Sequence, residues 1–164
     1  MLRQNPAVHW EAPFMYLLFG NKEALLIDAG ATEEPQYFPL YKTVSKVIKR
    51  WEQANLIELE KITVLPLGSE PSQIGGLDQF RGIAKVEVKE NYQLAQKIDT
   101  SGLDLGDRVL TIIDTPGLTE NGKTIYDPWT DILFTSTSFY PGRLVIRNYE
   151  LYKNCWERLV NFSK

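Results

Sequence analysis

The segment YLLFGNKEALLIDAGAT, from Tyr16 to Thr32, contains two apolar runs separated by a short polar turn. The turn, Gly20-Asn21-Lys22-Glu23, is typical of a β-hairpin. The second run closes on Asp28-Ala29-Gly30, where a glycine permits a tight change of direction. We therefore predict strands over Phe14–Phe19 and Ala24–Asp28, paired in a hairpin.

The rest of the chain alternates between helical and strand periodicity. Apolar residues at helical spacing, with lysines between them, predict an amphipathic helix from Leu40 to Ala54 with Trp51 on its core face. We predict further strands over Ile62–Leu67, Lys85–Val88, Arg108–Ile113, Lys123–Tyr126, Ile132–Thr135 and Leu144–Ile146. This alternation indicates an α/β fold, with a mostly antiparallel layer in the second half.

The remaining segments connect these elements or end the chain. Gly68–Ile74 is predicted as an irregular loop, the residues after Gly75-Gly76 as a short helix, and Tyr92–Ile98 as a helical turn or two. A final helix is predicted to bury one face, formed by Tyr149, Tyr152, Trp156, Leu159 and Val160.

Composition restricts the class of protein. The length of 164 residues suits one domain, which we place over residues 1–164, and a net charge of -3 without a basic cluster argues against nucleic acid as a partner. The longest apolar run, Phe14–Phe19, is far too short to cross a membrane. Met1–Pro13 is polar where a secretory signal would be apolar, and the lone Cys155 cannot form an internal disulfide, so we expect a cytoplasmic protein and a buried structural thiol.

The histidine count limits catalysis most strongly. The chain contains one histidine, His9. Zinc or iron sites that use several imidazoles, and relays that depend on more than one histidine, cannot be built from it. We interpret His9 as an ordinary, partly exposed residue.

One nucleotide motif is present in sequence. Gly117–Thr124 matches the phosphate-binding pattern G-x-x-x-x-G-K-T and follows a predicted strand. Such a loop must open a helix whose first N–H groups meet the phosphates, but Asp127-Pro128 disfavours helix directly downstream. We therefore prefer a hairpin loop that turns at Gly122, and keep nucleotide binding as a third hypothesis.

Three segments in order resemble the metallo-β-lactamase superfamily. Tyr16–Thr32 is similar to the family's opening hairpin and its I-D-x-G turn, and Ile62–Phe80 to the strand, loop and Gly-Gly that follow. Leu103–Gly117, followed by Tyr126-Asp127-Pro128 and Phe139–Leu144, is similar to the family's third region. The resemblance implies a four-layer αββα sandwich with two mixed, mostly antiparallel sheets, and a structural role for Asp28, Gly30, Gly75, Gly76, Pro116 and Gly117.

The family's metal ligands are not retained in this resemblance. The family's H-x-H-x-D-H segment comes immediately before its Gly-Gly, and anchoring the alignment on Ile74-Gly75-Gly76 puts Gly68, Glu70, Ser72 and Gln73 at the ligand positions. The family's T-P-G-H becomes Thr115-Pro116-Gly117-Leu118, and the bridging aspartate becomes Thr137. The last family histidine would lie beyond Lys164. The resemblance thus implies a scaffold without its metal centre, and we expect no cofactor.

A residual pocket is predicted from Glu70, Asp114, Thr137, Tyr140 and Arg143. Glu70 and Asp114 could act as a carboxylate pair in acid–base chemistry, or Asp114 could cap the turn that follows it. The loop Tyr140-Pro141-Gly142-Arg143 either contributes a ring and a guanidinium to ligand binding or only connects two strands.

The function expected from these observations is a non-catalytic binding or assembly module, with an unknown protein or small molecule as partner. The rival hypothesis is a metal-dependent hydrolase with atypical ligands, so the sequence leaves enzyme status undecided and favours a non-enzyme. Because the resemblance lacks the family's last elements, we also predict a homodimer that covers an open surface.

Overall fold

A computed structural model describes residues 1–90, 98–140 and 143–162. The chain forms two compact units. The first contains the described residues of Met1–Pro66, Glu70–Tyr92 and Asp104–Arg108, and the second contains those of Leu67–Ser69, Gln93–Leu103 and Val109–Lys164. The assignment of residues 1–164 to one domain stays a prediction.

The first unit contains a mixed sheet of five strands in the order β1-β2-β3-β4-β5. These strands are β1 (Leu2–Arg3), β2 (Phe14–Phe19), β3 (Glu23–Ile27), β4 (Lys61–Leu65) and β5 (Val86–Val88). The pairs β1–β2 and β2–β3 are antiparallel, and β3–β4 and β4–β5 are parallel. The predicted hairpin is confirmed, with Leu17 opposite Leu26.

Helix α1, Leu40–Asn55, packs on the core of this unit and confirms the predicted amphipathic helix. Its buried residues Leu40, Val44 and Ile48 recur at helical spacing, so burial of one apolar stripe holds the helix in place. Trp51 stacks on Phe19 with ring centroids 4.7 Å apart, as expected for a residue on the core face.

The segment after β4 is more regular than predicted. Pro71–Ile74 forms a short helix, α2, where we expected an irregular loop. Proline suits the first turn of a helix because its missing N–H would have no helical partner there. A 3-10 helix, Leu77–Phe80, follows Gly75-Gly76 and confirms the short helical segment predicted there.

The second sheet has four strands in the order β6-β7-β8-β9. They are β6 (Ile98–Asp104), β7 (Val109–Asp114), β8 (Lys123–Asp127) and β9 (Ile132–Phe134). The pairs β7–β8 and β8–β9 are antiparallel, in agreement with the predicted layer. The sequence predicted β7, β8 and β9 but not β6.

Two predictions for the carboxyl-terminal part are wrong. Leu144–Ile146 has no regular secondary structure, because its β-branched residues find no ladder partner among the described residues. Helix α3, Tyr149–Phe162, is present, but it buries Cys155 and Leu159, whereas Tyr149 and Val160 are exposed. The predicted helical turn at Tyr92–Ile98 falls largely on residues 91–97, outside the described residues.

The described part of the chain contains no candidate membrane-spanning helix. None of its helices combines the length and the apolar character that a membrane crossing needs.

Candidate functional site

The turn after β3 belongs to the region that the sequence resemblance aligns with the family's metal site. Asp28 is buried and has a φ of 60°, a conformation that aspartate tolerates better than most residues. Its N–H donates to the Leu65 carbonyl at 3.2 Å, which joins the turn to the end of β4. Gly30 has a φ of 72°, and a Cβ there would lie 2.8 Å from the Phe38 ring, so this position requires glycine.

Gly75 and Gly76 pack directly against this turn. The Gly75 N–H donates to the Gly30 carbonyl at 2.8 Å, and the Gly76 N–H donates to the Ala29 carbonyl at 3.0 Å. A Cβ on Gly76 would lie 2.5 Å from the same Ala29 oxygen. The two backbone segments are therefore too close for any side chain between them.

Three of the positions aligned with metal ligands lie at α2. Glu70 and Gln73 form a capping box, in which the Glu70 N–H donates to Gln73 Oε1 at 3.1 Å and the Glu70 side chain accepts from the Gln73 N–H. Gln73 is buried and Ser72 is nearly so. The side chains of Glu70 and Gln73 thus satisfy backbone groups at the start of a helix.

In the second unit, α3 packs against the turn after β7. Gly117 has a φ of 133°, and a Cβ on it would lie 2.7 Å from Tyr152 Cβ. Cys155 is buried, and its Sγ donates to the Pro116 carbonyl at 3.3 Å. The backbone N–H of Asn148 donates to the Gly117 carbonyl at 3.0 Å, so the turn fixes the beginning of the helix.

Asp114, the last residue of β7, lies beside two cations. Lys123 stands directly opposite it on β8, and Arg158 Nη2 of α3 donates to its backbone carbonyl at 2.9 Å. Burial raises the pKa of the Asp114 carboxyl, and the charges of Lys123 and Arg158 oppose this shift. Burial also lowers the pKa of the Lys123 amine, against the attraction of Asp114.

The other aligned positions in the second unit supply few metal-binding atoms. Gly68 has no side chain, Leu118 is buried and apolar, and Thr137 lies in a 3-10 turn, Ser136–Ser138. Next to Thr137, the Ser138 hydroxyl is 3.2 Å from the Thr115 hydroxyl, which is 3.2 Å from that of Thr124. This buried chain of hydroxyl groups links three segments of the unit.

The loop at Tyr140 closes on itself in the described residues. The Tyr140 hydroxyl donates to the Arg143 backbone carbonyl at 2.7 Å, and both residues are exposed. The intervening Pro141-Gly142, the middle of the predicted loop, lies outside the described residues. The grouping of Glu70 with Asp114, Thr137, Tyr140 and Arg143 in one pocket stays a prediction.

The donor set does not fit the metal centre that the resemblance implies. The six aligned positions offer one carboxylate, one amide and two hydroxyl groups, with no imidazole and no thiolate. The carboxylate and the amide belong to the capping box of α2. Among the described residues, no group of three or more His, Cys, Asp or Glu side chains is arranged to hold an ion.

The last two residues of the nucleotide motif lie in a strand. Lys123 and Thr124 begin β8, and Lys123 is only 4% exposed, with its Nζ donating to the Asn121 carbonyl at 3.1 Å. A phosphate loop would require a helix at this point, with N–H groups directed at the ligand. The segment therefore lacks the structural context of the motif.

Sequence reasoning missed the cations around Asp114. The sequence predicts Lys123 as the start of a strand and as part of the nucleotide motif, but the hairpin register of β7 and β8 is what places it opposite Asp114. Arg158 carries no local signal for this role, because its contact with Asp114 joins segments that are distant in the chain.

Comparison with known proteins gives structural matches without sequence matches. No family model matches the chain, and no curated protein matches it. The B3 metallo-β-lactamase BLEG-1 superimposes with a TM-score of 0.63 at 15% identity, over 93% of this chain and 82% of that chain. The superfamily protein ST1585 from Sulfolobus tokodaii has a TM-score of 0.59 at 17% identity, over 92% and 70%.

A third solved structure is the metallo-β-lactamase FIM-1 from Pseudomonas aeruginosa in its mono-zinc form. It has a TM-score of 0.58 at 14% identity, over 93% of this chain and 73% of that chain. At identities this low, the likeness establishes the fold. The fold class predicted from the sequence, an α/β sandwich of metallo-β-lactamase type, is confirmed.

Proposed function

From this metallo-β-lactamase fold, we propose that the chain is a non-catalytic binding or assembly module. The observation that supports the proposal most directly is the joint replacement of the ligand set. Gly68, Glu70, Ser72, Gln73, Leu118 and Thr137 stand at the positions where the resemblance expects metal ligands. Replacement of a single ligand could leave an enzyme with altered metal preference, but replacement of all six removes the chemistry that the site provides.

The contacts of these residues support the same proposal. Hydrolysis by a metal-bound water needs several anionic or imidazole ligands and an oriented base. Glu70, the one strong ligand in the set, stabilises the beginning of α2, and Leu118 is a buried apolar side chain. These side chains stabilise the fold, and few groups in the set are left that could bind a metal or activate water.

A hydrolase with atypical ligands is the second candidate, and one observation favours it. Burial raises the pKa of Asp114, and a raised pKa is the direction that favours a carboxyl group as a proton donor. In this alternative, Glu70 and Thr137 would assist Asp114. Substrates would belong to the ester, thioester or lactam classes, which are cleaved by attack of water.

The two candidates differ in metal content and turnover. We expect protein produced with added zinc, iron and manganese, and purified without chelator, to contain substoichiometric metal by mass spectrometry. We also expect no cleavage of phosphodiester, thioester or β-lactam substrates that responds to a chelator. An authentic metallo-β-lactamase, carried through the same purification, serves as the positive control.

The variants Glu70→Gln and Asp114→Asn identify the source of any signal. Under our proposal neither substitution changes metal content or turnover, because neither residue is a metal ligand. Stoichiometric metal in the parent protein that both variants lose, or chelator-sensitive turnover that they abolish, would establish the hydrolase instead.

A further inference from the structure

Helix α3 and the segment before it expose an unusual number of large apolar side chains. Those with more than a third of their surface exposed are Phe139, Tyr140, Val145, Ile146, Tyr149, Leu151 and Val160. Soluble proteins leave single apolar residues exposed, but exposed apolar residues that share one side of an element can form an interaction surface.

Part of this group forms a line along α3. Tyr149, Lys153, Trp156 and Val160 are separated by four, three and four residues, so they lie on one side of the helix. We call this side the outer face of α3. Tyr149 is 64% and Val160 is 54% exposed, whereas Cys155 and Leu159 occupy the buried side. Among the described residues, the helix therefore buries one apolar side and leaves Tyr149 and Val160, at the two ends of the outer face, exposed.

The centre of the outer face is held in place by aromatic contacts. The Trp156 ring lies 4.6 Å from that of Phe139 and 5.8 Å from that of Tyr152, measured between centroids. A tryptophan fixed in this way loses little side-chain freedom on association. Aromatic residues of this type dominate the binding energy of protein interfaces.

The charges of α3 are complementary to those of a second α3. The helix contains two acids, Glu150 and Glu157, and two bases, Lys153 and Arg158, so two copies do not repel each other through net charge. Lys153 and Glu157 form an ion pair of 3.9 Å within one helix. They flank the midpoint of the outer face, near Cys155.

We propose that the outer face of α3 is a homodimer contact, in which two α3 helices pack antiparallel about a twofold axis near Cys155. A twofold contact requires a surface that complements itself. With this axis, Tyr149 lies level with Val160 of the partner subunit. Lys153 lies level with Trp156 and Glu157 of the partner subunit, where its ammonium group meets an aromatic ring and a carboxylate. The contact does not depend on the proposed loss of catalysis.

The first test compares two tyrosines with the same exposure. Tyr149, on the outer face, and Tyr37, in the first unit, are each 64% exposed. We expect the parent protein and Tyr37→Lys to have the mass of two chains in light scattering at micromolar concentration, and Tyr149→Lys to have the mass of one. A monomeric parent protein, or equal behaviour of the two variants, would overturn the proposal.

The second test concerns the antiparallel register. Lys153→Glu places like charges across the twofold axis twice, so we expect the dissociation constant in sedimentation equilibrium to rise about tenfold. The double variant Lys153→Glu/Glu157→Lys restores both opposite-charge pairs, and its constant should return to within about twofold of the parent value. Thermal unfolding verifies that each variant is folded. If the double variant dissociates like the single one, the helices do not pair in this register.

Discussion

Asp114 and Lys123 face each other at the end of a hairpin, and burial shifts both pKa values toward the neutral forms. An ion pair at the surface would shift them the other way, because each charge would favour the other without a cost of desolvation. The direction of the shifts shows that desolvation outweighs attraction at this position. We therefore expect the charged form of Asp114 to lower the stability of the folded chain.

Replacement of Asp114 by asparagine should stabilise the protein at neutral pH. The pKa of Asp114 is raised above 3.8 in the folded state, so the folded chain binds this proton more tightly than the unfolded chain. The loss of stability caused by ionisation of Asp114 is fully present above the raised pKa and is absent below about 3.8. Urea unfolding should show the advantage of Asp114→Asn at neutral pH and its loss as the pH falls toward 3.8.

The control for this prediction is Glu120→Gln, which removes an exposed carboxylate from the following loop. It should leave the free energy of unfolding nearly unchanged over the same pH range. An Asp114→Asn variant that is less stable than the parent at neutral pH would mean that attraction by Lys123 and Arg158 exceeds the cost of burial.

Helix α3 shows how one element can serve two surfaces. Its buried side fits the turn at Gly117, whose missing side chain allows the Tyr152 backbone to come close. Its outer face carries exposed apolar residues at the same helical spacing. Sequence periodicity therefore indicated a broad apolar face, but could not separate the covered stripe from the uncovered one.

Two leucines of α3 differ strongly in burial and test how the helix is packed. Leu159 is 3% exposed and Leu151 is 46% exposed, and neither lies on the outer face. Leu159→Ala should lower the free energy of unfolding by about 2–5 kcal/mol, because it leaves a cavity in a packed region. Leu151→Ala should change it by less than about 0.5 kcal/mol in the same urea titrations. Equal losses would mean that α3 is not packed as described.

At the scale of the whole molecule, the segments that carry the aligned ligand positions in the first unit are held by contacts of the protein itself. The Asp28–Gly30 turn and Gly75-Gly76 interlock through backbone hydrogen bonds that need no metal. The capping box of α2 supplies a further contact at the aligned ligand positions. These contacts depend on packing and backbone geometry and do not involve a metal ligand.

Dimerisation would couple thermal stability to protein concentration. A folded dimer that dissociates on unfolding gains at most about 1.4 kcal/mol for each tenfold increase in concentration, so the Tm of the parent should rise with concentration. Tyr149→Lys should have a Tm that is independent of concentration, and Tyr37→Lys should follow the parent. Scanning calorimetry over a wide concentration range measures this directly. A parent Tm that does not change with concentration would contradict a dimer coupled to folding.

The sequence by itself determined the elements with strong local signals and the residues at the aligned ligand positions. The β2–β3 hairpin, α1 and the strands β7 to β9 follow from apolar periodicity and turn residues. The presence of a single histidine can be read from composition. These features depend on residues close together in the chain, so no partner had to be known.

Only the tertiary structure decided which segments find partners. β6 contains Gly102 and several polar residues, so its own propensity is low, and it is a strand because β7 lies beside it. Leu144–Ile146 has strong β propensity but pairs with no strand among the described residues, and it has no regular secondary structure. The positions of Lys123 and Arg158 near Asp114 likewise arise from contacts between distant segments. Strand pairing and burial are long-range interactions, and local sequence carries little information about them.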